Sequence, residues 1–65
     1  MMSTDDLHRW ARAEARLAHV RRLLEETVDD ALLVEELRLS GTVAAFELVA
    51  LLERAAGQVR DARWN

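Results

Sequence analysis

Residues 42–59, TVAAFELVALLERAAGQV, decide how the rest of the chain is read. Their first eleven positions hold one charge, Glu47. Ala45, Leu48, Leu52, Ala55, Val59 and Ala62 recur at alternating steps of three and four. That spacing sets side chains on one face of a helix. Val43, Phe46, Val49, Ala50 and Leu51 carry apolar surface well beyond that face. A helix apolar around most of its circumference needs cover on more than one side. One further helix from a 65-residue chain is too little, so the pattern implies a partner chain.

Just upstream, Ser40-Gly41-Thr42 is the clearest punctuation. Gly41 can take the left-handed conformation that ends a helix, and Ser40 or Thr42 can cap the next. The expected last helix is therefore about 43–63. Upstream of it, Trp10, Ala13, Leu17, Val20, Leu24, Thr27, Ala31 and Val34 form a coiled-coil-like seam of threes and fours, uninterrupted by Gly or Pro. Ser3-Thr4-Asp5-Asp6 supplies its start, with Ser3 as cap, Asp6 three residues on, and Asp5 placed to pair with Arg9. The expected first helix is about 4–39. A competing signal sits inside it. Thr27-Val28-Asp29-Asp30 repeats the cap pattern, and Glu25–Asp29 and Glu26–Asp30 are like-charge pairs one turn apart.

These readings give a single all-α domain over 1–65: a long antiparallel helical hairpin with its turn at 40–42. Counted outward from Gly41, Trp64 falls beside about Ala18, which leaves Leu7 and Trp10 uncovered within the chain. Two hairpins packed with twofold symmetry would cover them, so the expected assembly is an antiparallel four-helix bundle formed by a homodimer. The alternative is a three-helix bundle with a break near Thr27.

Composition fits such a module. The chain is 51% hydrophobic and 32% charged, with no Pro and no Cys, so disulfide staples and thiolate metal sites are excluded. At this length a core normally needs disulfides, a metal or a partner chain, and the first is absent. No apolar run approaches the roughly 20 residues that span a bilayer. Residues 1–16 are too polar for a secretory signal, so a cytoplasmic location is expected. All nine basic residues are Arg, a usage that points to a GC-rich, bacterial coding bias. Charge is segregated: residues 1–24 are net basic, 25–39 are strongly acidic, and 40–65 balance. A basic end and an acidic middle favour antiparallel or staggered self-pairing.

The catalytic inventory is poor. His8 and His19 are about 16 Å apart along a helix and cannot share a metal ion. Glu26-x-x-Asp29 resembles half of the paired acidic motifs of the helical nucleotide pyrophosphohydrolases, but no second acidic pair at that spacing follows. Ser3 and Ser40 occupy cap positions, and Gly41 and Gly57 form no phosphate loop. Residues 33–43 share the outline of a helix-turn-helix, yet Arg38 stands where its glycine belongs. The helix that follows offers almost nothing to read bases. No enzyme, cofactor or metal is expected.

The expected role is a small interaction module, an accessory or regulatory subunit that pairs with itself and binds another protein. Its expected interface residues are Leu7, Trp10, Leu17, Leu24, Phe46, Val49, Leu52, Val59 and Trp64. Electrostatic docking is assigned to Arg9, Arg12, Arg16 and Arg22, and to Glu25, Glu26, Asp29 and Asp30. The alternative is a nucleic-acid-binding regulator that uses the Arg strip.

Overall fold

A computed structural model describes the backbone of residues 2–64 and the side chains of residues 2–60. Two helices account for it: α1, Thr4–Glu26, and α2, Asp30–Trp64. They pack against each other as an antiparallel hairpin, with no strand among the described residues.

Ser3 starts α1, its Oγ accepting from the Asp6 amide at 3.1 Å. Asp6, rather than Asp5, is the residue that approaches Arg9, at 3.9 Å. The helix stops at Thr27, whose backbone turns extended (φ −149°, ψ 146°) while its amide still donates to the Leu23 carbonyl at 3.0 Å. Three residues later the chain is helical again. Here Asp29 is the cap: its Oδ1 accepts from the Ala31 amide at 2.8 Å, and its carbonyl accepts from Leu33. An acidic residue at that end also suits the positive pole of the helix.

Two expectations are corrected here. The first helix is not continuous to residue 39; the break lies at Thr27–Asp29, where the weaker reading put it. The turn expected at 40–42 does not exist, because α2 runs straight through it. Gly41 has no positive φ, and the Thr42 hydroxyl donates back to the Arg38 carbonyl at 3.1 Å instead of capping a new helix. Ending α1 at Glu26 prevents Glu25 and Glu26 from stacking one turn below Asp29 and Asp30. It also sends the chain back early enough for all of α1 to lie on α2.

The packed seam is regular. Ala13, Leu17 and Val20 of α1 are buried, Val20 with 0% exposure, and Ala13 and Leu17 cluster with Val43 and the half-buried Leu39 of α2. Trp10 stacks on Phe46 with ring centroids 6.0 Å apart and planes 9° from parallel. The Trp10 Nε1–H donates to Glu14 Oε1 at 3.0 Å. From the Trp10–Phe46 pair, the start of α1 falls level with about Leu52. α2 therefore overhangs from Glu53 onward, and every described side chain from Leu51 to Arg60 is exposed. This reverses the expected overhang: Leu7 and Trp10 lie alongside α2, and the unaccompanied segment is the far half of the second helix.

The chain is consequently elongated, 55 × 18 × 14 Å with a radius of gyration of 16.1 Å. A compact 65-residue chain has a radius of about 11 Å. Among the described residues, no helix is long and apolar enough to cross a membrane.

Candidate functional site

α2 carries two apolar seams. Leu32, Leu39, Val43, Phe46 and Ala50, with Glu36 as the one charged position among them, recur at steps of four and three, and all are buried or half-buried toward α1. Val34, Leu37, Gly41, Ala44, Leu48, Leu51 and Ala55 recur at steps of three and four, and all are exposed. At about 100° per residue the two seams lie roughly 150° apart. Ala45, Leu52 and Val59 widen the outer seam along one border. Leu37 is 75% exposed, Leu48 56%, Leu52 59% and Val59 63%. No charged residue interrupts the outer seam between Val34 and Ala55. Single exposed leucines are ordinary, but a contiguous apolar strip running most of a 35-residue helix is not.

The excess surface has a size. The chain exposes 5452 Å². A compact monomer of 7.4 kDa exposes about 4,200 Å². The surplus of roughly 1,200 Å² exceeds the ~800 Å² that each partner contributes to a standard protein interface.

The expected interface residues divide into two groups. Leu17 belongs to the hairpin's own core, Trp10 and Phe46 stack on each other within the chain, and Leu24 is half-buried on the same face of α1. Leu7, Val49, Leu52 and Val59 are exposed, the last two on the outer seam of α2. The Trp64 side chain lies outside the described residues. Leu37, Ala44 and Leu51, central to the outer seam, were not among the residues expected at an interface. Their seven-residue spacing is present in the sequence, but it crosses residues 40–42, where a turn was expected.

The charged candidates are partly engaged. Arg16 donates from Nε to Glu35 Oε1 at 2.8 Å and from Nη2 to Oε2 at 3.4 Å, an ion pair that ties α1 to α2. Hydrogen bonding from Arg16 holds the Glu35 carboxyl below the usual glutamate range, against an opposing contribution from desolvation. The same bond raises the Arg16 guanidinium above its ordinary value. Arg9 faces Asp6. Arg12 and Arg22 are exposed, about 80° apart around α1, so the four arginines do not make one narrow strip. Glu25, Glu26, Asp29 and Asp30 crowd the hairpin tip beside the exposed Val28, and the Asp29 carboxylate is occupied as a cap.

Among the described residues, no group of three or more His, Asp or Glu side chains is placed to hold a metal ion. A shallow open dimple beside Glu53, Ala56, Gly57 and Arg60 lies on α2 alone and converges no catalytic set.

No known protein family, curated protein or solved structure matches this chain. The functional reading therefore rests on the geometry of the outer face of α2.

Proposed function

We propose that this chain is a non-enzymatic interaction module. The hairpin pairs with a second copy through the outer seam of α2, giving a dimer of four helices that serves as an accessory or regulatory subunit for another protein. One observation carries the reading: α2 presents a second apolar seam, opposite the one that α1 covers, over residues 34–59. At roughly 25 cal/mol per Å², leaving such a strip in water costs enough to favour association at ordinary protein concentrations. The acidic hairpin tip and the exposed arginines of α1 remain on the outside of the dimer, available to a partner. The nucleic-acid reading gains no support from the arrangement, since Arg9 and Arg16 already face carboxylates.

Sedimentation equilibrium tests the proposal directly. The native chain is expected to run at twice 7.4 kDa at micromolar concentration. Leu48→Arg, at the centre of the outer seam, is expected to run as a monomer with reduced helix content. A native chain that is monomeric and fully helical under those conditions overturns the proposal.

A further inference from the structure

We infer that the second copy lies antiparallel along α2, with the twofold axis close to Val49–Ala50. This rests on the dimer reading and adds its geometry. The inner seam of α2 is occupied by α1, so a second chain meets α2 on the opposite side. The two α2 helices therefore form the centre of the assembly and the two α1 helices its outer layers.

The borders of the outer seam choose the direction. One border carries Leu33, Ser40, Glu47 and Arg54, spaced by seven. The other carries Arg38, Ala45, Leu52 and Val59, also spaced by seven. Glu47 and Arg54 are exposed and make no hydrogen bond or ion pair among the described residues. In an antiparallel pair related by a twofold axis, like borders meet. Glu47 of each copy then faces Arg54 of the other, so the pair forms twice. In a parallel pair, unlike borders meet, and Glu47 faces a border of Ala45, Leu52 and Val59 with no cation on it within two turns.

The same axis sets the layers of the seam. Leu48 lies opposite Leu51 of the second copy, and Ala44 lies opposite its Ala55. Gly41, Ala44 and Ala45 let the two backbones approach closely, and nothing lies within 4 Å of a methyl group built at Gly41. The overhang beyond Glu53, which α1 leaves bare, rests against this small-residue stretch of the partner copy. That stretch is backed by the partner's own α1. Self-pairing in this direction covers both the strip and the overhang, and the surplus of exposed surface is of the size a stable pair removes.

The chain has no cysteine, so introduced thiols report only on each other. Ala44→Cys and Ala55→Cys are prepared separately, mixed, and oxidised mildly, with helix content checked by circular dichroism. The expected result is a covalent dimer in the mixture and almost none from either variant alone, because like positions sit about 16 Å apart. Cross-linking of each variant by itself shows a parallel pair and overturns the inference. No cross-link in any sample, with sedimentation still giving a dimer, also overturns it while leaving the dimer intact. A monomer by sedimentation removes the dimer itself. A charge exchange supplies the independent check. Glu47→Arg and Arg54→Glu are each expected to weaken the dimer about fivefold or more, and the double exchange to recover to within about threefold. Failure of the double exchange to recover overturns the pairing of these borders.

Discussion

At the scale of single residues, Gly41 is the position where local preference and tertiary placement diverge most. Glycine is a poor helix former, and a serine and a threonine flank it, yet the residue is helical with a negative φ and open space around its Cα. Gly41→Ala is accordingly expected to stabilise the single hairpin by about 0.5–1 kcal/mol, read as a raised thermal midpoint and greater helicity at dilution where no pair forms. Were Gly41 in a left-handed turn, the same change would destabilise by a similar amount, so the sign alone decides. Glu35 gives a second test. Its carboxyl is depressed because Arg16 donates to it, so its stabilising contribution is complete above the ordinary glutamate value near 4.3. That contribution fades as pH falls through the lower folded value. The Arg16 and Glu35 side chains are 51% and 24% exposed, so solvent screens the pair. Thermal melts at about pH 7 and pH 3 are expected to differ less for Glu35→Gln than for the native chain.

At the scale of elements, three residues carry the reversal of the chain. Thr27 leaves the helix in an extended conformation, Val28 projects into solvent, and Asp29 restarts the helix by capping Ala31. No basic residue offsets the negative pole at the end of α1, where Glu25 and Glu26 sit. The stop is thus favoured electrostatically as well as by the cap that follows. Asp29→Ala removes that cap and is expected to cost about 1 kcal/mol, measured by urea unfolding. An unchanged midpoint would mean that the water-exposed amides of α2 need no side-chain partner. The placement of the break also decides which apolar residues are paid their contacts: an early turn lets Trp10 reach Phe46 and Val20 disappear from solvent.

At the scale of the whole molecule, the hairpin is long, thin and under-buried. Among the described residues, the buried hydrophobics are Ala13, Leu17, Val20 and Val43. So small a core suits the proposed pairing, which would make stability depend on concentration. The thermal midpoint of the native chain is expected to rise by about 3–6 °C for each tenfold increase in concentration, followed by circular dichroism. A midpoint independent of concentration would show a self-sufficient monomer.

Helix content, the buried face of α1 from Trp10 to Leu24, and the excess apolar surface of residues 42–59 were all determined by the sequence, because they depend on spacing within one helix. The sequence also carried both cap signals, at Thr27–Asp30 and at Ser40–Thr42, and local chemistry ranked them wrongly. Tertiary structure chose between them. A turn at Asp29 lays the full length of α1 on the inner seam of α2, stacks Trp10 on Phe46 and closes Arg16 on Glu35. A turn at Gly41 would leave Leu7 and Trp10 without a neighbour. Those gains join residues nineteen to thirty-six positions apart, beyond the reach of any local pattern, and they outweigh the ~1 kcal/mol that a helical glycine costs.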